Sequence, residues 1–258
     1  MTSSMSKILI FGGTGGIGES FARAFHKMGK QVIITGRRED RLASLARELP
    51  GLETYAMDNR DLAAIPRHAE TLLSTYPDID TVWVNAGIQY QGSFKSLETF
   101  SDDKIIDEIT VNLTAPIVLA RHFIPHLISR SVSATTTTTT FMMTSSGIAF
   151  VPAGLFPVYS PTKAGVHSFM VGLRQSLKDY ANFNVIEIVP PYVRTDLDIA
   201  NRLWHAITPM ELDEYTSETL RVLESTPSKD IKEVAAGTAV PRVQAWRDAF
   251  NPLLRMGG

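Results

Sequence analysis

Tyr159 and Lys163 stand one helical turn apart in Tyr159-Ser-Pro-Thr-Lys163, at the head of a stretch, 160–181, whose apolar spacing predicts a helix. A free phenol ionises near about 10, which makes it a poor acid or base at neutral pH. An ammonium on the same helix face would lower that value and suit the phenol to proton exchange with a substrate oxygen. A second group of residues points to a different task. Gly12, Gly16 and Gly18 directly follow the apolar run KILIF (7–11) and open the helical pattern ESFARAFHKMG (19–29). Glycines in that position let the backbone run close to a diphosphate, and the free N–H groups at the helix start bind its charge. At the end of the next apolar run, QVIIT (31–35), Arg37 and Arg38 stand where a carboxylate would otherwise accept the adenosine ribose hydroxyls. Arginine holds a 2′-phosphate and a carboxylate repels one, so NADP(H) is expected over NAD(H), with Arg37 the stronger candidate.

These groups are carried by an alternation of strand and helix. Strands are expected at 7–11, 31–35, 53–57, 80–87, TTFMMT (139–144) and 184–191. Helices are expected between them at 19–29, 38–51, 61–77, 102–129 and 160–181. Pro66 should sit in the first turns of its helix or bend it, and kinks are expected near Pro116 and Pro125 in the long one. The front of SVSATTTTTT (131–140) reads as a loop. The pattern is that of a Rossmann-like α/β fold, a doubly wound parallel sheet in a single domain spanning 1–258. After Tyr192 the rhythm breaks. Two helices around Pro209, a short seventh strand within 231–240 and a last helix at 243–250 are expected, with 192–226 as a small helical substrate lid.

Composition narrows the function. The chain has 258 residues, no cysteine, 25 basic and 27 acidic residues. That excludes a disulfide framework, a thiolate nucleophile and a cysteine-built zinc site. A formal net charge of -2 gives no electrostatic footprint for nucleic acid. No basic leader with an apolar core precedes the first strand, and no apolar run is long enough to span a bilayer, so a cytoplasmic, membrane-free protein is expected. Asn112-Leu-Thr114 matches a glycosylation acceptor with no visible route to the secretory pathway.

The glycine pattern, Asn85-Ala-Gly87, Asn112, Ser145-Ser146 and Tyr159-xxx-Lys163 occur together in an order and spacing that resemble the short-chain dehydrogenase/reductase family over about residues 7–195. SSGIAFVPAGLFPVYSPTKAGVHSF together with PPYV is similar to the bacterial DltE-like oxidoreductases within it. The resemblance implies a catalytic set of Asn112, Ser146, Tyr159 and Lys163. Tyr159 would exchange the proton, Ser146 would orient and polarise the substrate oxygen, and Lys163 would hold the nicotinamide ribose. Asn112 would help hold a water leading from Lys163 to solvent. The cofactor would meet Gly12, Thr14, Gly16, Ile17, Gly18, Arg37, Arg38, Asp58, Asn59, Asn85, Ala86, Gly87, Tyr159, Lys163, Pro190, Val193 and Thr195. Asn85 would support the central strand rather than react. Phe11, Val84 and Pro191 depart from the family pattern, and none of them removes a catalytic group.

The activity implied is NADP(H)-dependent ketone–alcohol interconversion, with the hydride chemistry belonging to the nicotinamide. Enone or imine reduction, a hydride-recycling isomerase and a weakly catalytic NADP-binding regulator are the alternatives. Ile148, Phe150, Leu155, Phe156, Tyr192, Leu203 and Trp204 are the candidate substrate wall and favour a hydrophobic or aromatic carbonyl compound. Arg194, Arg202 and His205 could instead recognise an anionic group. His122 and His126 could share a helix face but lack a third ligand, so no metal site is expected. Broad apolar stripes on 102–129 and 159–181 fit a homodimer or homotetramer.

Overall fold

The computed structural model describes residues 2–133, 137–197, 207–227 and 230–254. Seven parallel strands form one sheet in the order β3-β2-β1-β4-β5-β6-β7. They are β1 (Lys7–Phe11), β2 (Gln31–Gly36), β3 (Glu53–Ala56), β4 (Thr81–Val84), β5 (Thr139–Thr144), β6 (Phe183–Val189) and β7 (Glu233–Ala235). The register is set by pairs such as Leu9 with Ile33 and Val82 with Phe141. The crossover from β3 on one side of β1 to β4 on the other is the topological switch that opens a crevice at the strands' carboxyl ends.

Side-chain alternation along β1 divides the core between the two faces. Ile8 and Ile10 pack with Phe21 and Phe25 of α1 (Gly16–Lys27), Leu42 and Leu45 of α2 (Glu39–Glu48), and Tyr215 and Leu223 of α7 (Leu212–Ser225). Leu9 and Phe11 pack with Leu72 of α3 (Ile65–Thr75), Leu119 and Phe123 of α5 (Ala115–Ser133), and Val166 and Met170 of α6 (Tyr159–Ser176). Both faces of the central strands are therefore apolar, as a sheet buried on each side requires. Phe11 sits edge-on to Phe123 with ring centroids 5.3 Å apart, so the strand end packs well without a hydroxyl.

Several expected boundaries change. The long helix over 102–129 is two helices, α4 (Asp102–Ile109) and α5, joined by a π-helical turn at Thr110–Thr114. The extra residue in that turn absorbs the break ahead of Pro116, and it carries Asn112 inward. Pro125 is accommodated inside α5. Pro66 lies in the first turn of α3, which begins at Ile65 rather than 61. α5 runs on to Ser133, so the expected loop begins later than 131, and residues 134–136 lie outside the described residues. The first of the two helices expected around Pro209 falls largely on 198–206, also outside them. The last helix, α8 (Val240–Leu254), is longer than the 243–250 expected. No helix among the described residues is long and apolar enough to cross a membrane.

Candidate functional site

A cleft of about 580 Å³ runs along the carboxyl ends of the strands. It is lined by every expected cofactor residue except Gly18, and by Ser146, Tyr159 and Lys163. Gly12 and Gly16 adopt φ of 81° and 53°, the region open to glycine, and so bend the chain from β1 into α1. Gly18 backs the turn instead of facing the cleft. A Cβ there would stand 2.1 Å from the Gly12 carbonyl oxygen and 2.7 Å from Asn85 Nδ2, so its task is close packing of α1 against the end of β1. Asn85 donates to the Gly12 carbonyl (3.3 Å) and accepts from Thr144 Oγ1 (2.9 Å), which braces the central strands as expected.

At one end of the cleft lie Arg37, Arg38, Asp58, Asn59 and Arg60. Arg38 folds over the glycine turn and donates to the Thr14 carbonyl at 2.8 Å. Asp58 accepts from the Arg60 amide at 3.0 Å, and the Arg60 guanidinium lies on Asp107 through Nε (2.6 Å) and Nη2 (3.0 Å). The Asn59 Nδ2 is buried with no hydrogen-bond partner among the described residues. A buried amide donor beside an open cleft fits a ligand that brings an acceptor, and the glycine turn leaves room for a diphosphate.

The other end gathers Ser146, Tyr159 and Lys163, the expected proton-handling groups. Tyr159 and Lys163 are both buried on α6, and the Lys163 Nζ lies 5.5 Å from the Tyr159 ring centroid. That ammonium donates to the Thr144 carbonyl at 2.9 Å. Burial pulls Lys163 down to about 8, against the opposing carboxylates of Glu108 and Glu187. Tyr159 departs from the expectation that Lys163 would lower it. Burial and the Glu108 carboxylate hold its phenol well above the ordinary tyrosine range, and only the hydrogen bond with Ser146 pulls down. At neutral pH the phenol therefore keeps its proton, the form that can be given to a substrate oxygen.

Asn112 lies behind the cleft. Its side chain pairs with the backbone of Ile88, while Gly87 above it leaves the Lys163 ammonium uncovered, since a Cβ there would come within 3.5 Å of Nζ. Ser145, beside Ser146, is buried and donates to Glu187 at 2.5 Å. Ile148, Phe156 and Tyr192 of the expected substrate wall line the cleft. Phe150 packs instead on His167 and Trp246, Leu155 is absent from the lining, and Leu203 and Trp204 lie outside the described residues. Arg194 is exposed and paired with Glu211 at 2.9 Å, away from this cleft, and Arg202 and His205 lie outside the described residues. His126 meets the Ile79 carbonyl at 3.2 Å. Among the described residues no cluster of metal-ligating side chains forms.

Some groups at the site were not singled out from the sequence. Glu108, fully buried one turn before Asn112, accepts from the Tyr90 amide at 2.9 Å. Glu187 holds His167 Nδ1 of α6 at 2.8 Å. Arg242 enters the cleft from α8. A glutamate inside the apolar strand NVIEIVPP was the available signal for Glu187, and the shared helix face with Asn112 was the signal for Glu108.

The family described as short chain dehydrogenase matches residues 6–206. An uncharacterized oxidoreductase, DltE, from Bacillus subtilis (strain 168) is 35% identical over 253 residues, 96% of this chain and 93% of that protein. Serine 3-dehydrogenase of Agrobacterium fabrum is 30% identical over 223 residues, 80% of this chain and 83% of that protein. Among solved structures, the closed form of a serine dehydrogenase complexed with NADP+ superposes with a TM-score of 0.76 at 25% identity, covering 89% of this chain and 94% of that one.

Proposed function

The chain belongs to the short-chain dehydrogenase family and is an oxidoreductase; from that premise we propose that it is an NADP(H)-dependent enzyme interconverting a ketone and a secondary alcohol, working as a carbonyl reductase on small molecules with an apolar or aromatic body. The observation that carries this reading is a single cleft with Arg37 and Arg38 at one end and Ser146, Tyr159 and Lys163 at the other.

The bound dinucleotide supplies the hydride. The residues of the chain do the rest. Arg37 takes the 2′-phosphate by charge-assisted hydrogen bonds, and Arg38 keeps the glycine turn in shape through the Thr14 carbonyl. Ser146 hydrogen-bonds the substrate oxygen and Tyr159 delivers its proton there. Lys163, anchored on Thr144, holds the ribose hydroxyls and keeps a positive charge beside the phenol. Ile148, Phe156 and Tyr192 exclude water from the reacting carbon. Exposed Ile106, Ile109 and Ile117 on α4 and α5 support a homodimer or homotetramer, which sedimentation velocity would reveal.

The test is titration of the protein with NADPH and NADH, followed by NADPH oxidation against a panel of aryl and alkyl ketones. Preference for NADPH and alcohol product, with turnover lost in Tyr159→Phe by at least about 100-fold while NADPH still binds, is the expected result. NADPH binding without turnover of any carbonyl would overturn it.

A further inference from the structure

Five basic side chains line the cleft: Arg37, Arg38, Arg60, Lys163 and Arg242. Three of them are engaged by the protein, Arg38 on Thr14, Arg60 on Asp107 and Lys163 on Thr144. Arg37 stands at the adenosine end. Arg242 stands at the opposite end, and among the described residues it has no hydrogen bond or ion pair. Its Nη1 lies 3.5 Å from where a Cβ on Gly147 would be, so the guanidinium borders the residue that follows Ser146. The lining that continues from there, Ile148, Val151, Pro152 and Phe156, is apolar. The acidic residues of the lining are Asp58, beside Arg60, and Asp196, whose Oδ2 lies 4.0 Å from a Cβ built on Gly15. Both belong to the cofactor end.

The helix that carries Arg242 is well anchored. Arg242 sits in the first turn of α8, next to Val243, which is buried. Further along α8, Arg247 Nε meets Glu233 at 2.8 Å, and Trp246 stands edge-on to His167 with centroids 4.4 Å apart. A half-buried guanidinium held on a rigid element, without a counter-charge, is desolvated at a cost that a ligand anion would repay.

We propose that Arg242 anchors a carboxylate of the substrate, so that oxo acids with an apolar body are reduced in preference to neutral ketones. The inference rests on the redox reading above. The carbonyl carbon gains the hydride from NADPH and its oxygen gains the Tyr159 proton, giving a hydroxy acid and NADP+. The carboxylate is unchanged and serves to place the carbonyl at Ser146 and Tyr159.

Phenylglyoxylate and its methyl ester form a matched pair for the test, with NADPH oxidation followed for wild type, Arg242→Gln and Arg242→Lys. The wild type should favour the acid in kcat/KM. Arg242→Gln should lose about 30-fold or more on the acid while the ester stays within about threefold. Arg242→Lys should recover part of the loss, and melting temperature and NADPH affinity should be unchanged. In parallel, calorimetric titration of the NADP+-loaded protein with phenylacetate and phenylacetamide should show binding of the acid alone, lost in Arg242→Gln. An equal loss on acid and ester, or a wild type that binds the two titrants alike, overturns the proposal. Arg242-dependent phenylacetate binding without turnover of either substrate upholds the carboxylate anchor and defeats the reductase reading instead.

Discussion

Asn112 meets the backbone of Ile88 with both of its polar groups, Oδ1 accepting from the amide at 2.8 Å and Nδ2 donating to the carbonyl at 2.8 Å. The side chain thus stands in for a neighbouring strand just beyond β4. Asn112→Leu would leave two backbone groups unpaired, at about 1–3 kcal/mol each. Thermal denaturation should show a drop of several degrees, and kcat should fall more than NADPH affinity, since the loosened stretch borders Lys163 rather than the diphosphate turn. An unchanged melting temperature would contradict this.

Arg37 and Arg38 should separate in cofactor titrations. Arg37→Ala should weaken NADPH by about 10- to 100-fold and leave NADH nearly unchanged, because only the 2′-phosphate loses its partner. Arg38→Ala removes the clasp on the Thr14 carbonyl and should weaken both cofactors alike. Identical profiles for the two variants would show that neither argument holds.

Glu108 has its carboxyl pushed up to about 7 by burial, from an ordinary 4.5. Between those values the folded chain keeps a proton that the unfolded chain has released, so this group lowers stability as pH rises through that window. Glu108→Gln keeps an oxygen for the Tyr90 amide and cannot ionise. Urea midpoints taken below and above the window should therefore differ less than in wild type. The same substitution removes a negative charge that raises both Tyr159 and Lys163, so the alkaline limb of kcat/KM for reduction should move to lower pH. Superimposable profiles would refute the coupling.

Gly18→Ala sets two effects against each other. Alanine gains about 1 kcal/mol of helix propensity over glycine. Its Cβ would stand 2.1 Å from the Gly12 carbonyl oxygen, and backbone on both sides must give way, at about 1–3 kcal/mol or more. The clash should win: a lower melting temperature and weaker binding of both NADPH and NADH, measured on the same preparation.

The sheet and the glycine turn were legible because strands buried on both faces are written as unbroken apolar runs, and because a motif gains meaning from the strand before it and the helix after it. That Tyr159, Lys163 and Ser146 share one cleft was expected from the family resemblance, which rests on their order and spacing. The π-turn was not, because Thr110–Thr114 differs from α-helix by one hydrogen-bond step that leaves no mark on apolar spacing. The raised Tyr159 was missed for a related reason. Sequence placed Lys163 beside the phenol, but the opposing carboxylate of Glu108 and the depth of burial appear only once α4 lies against α6. Arg242 was missed because its partner in space, Gly147, lies on the far side of β6 and β7 in the chain.

The position of α8 gives the two ends of the cleft separate supports. Every lining residue proposed to hold the dinucleotide lies between β1 and the segment just after β6, whereas the guanidinium beside Gly147 is contributed by the closing helix. Arg247 and Trp246 bolt that helix to β7 and α6 independently of what stands at position 242. Substitution at its first turn is therefore a route by which selection could change the acceptor molecule while the redox machinery stays as it is.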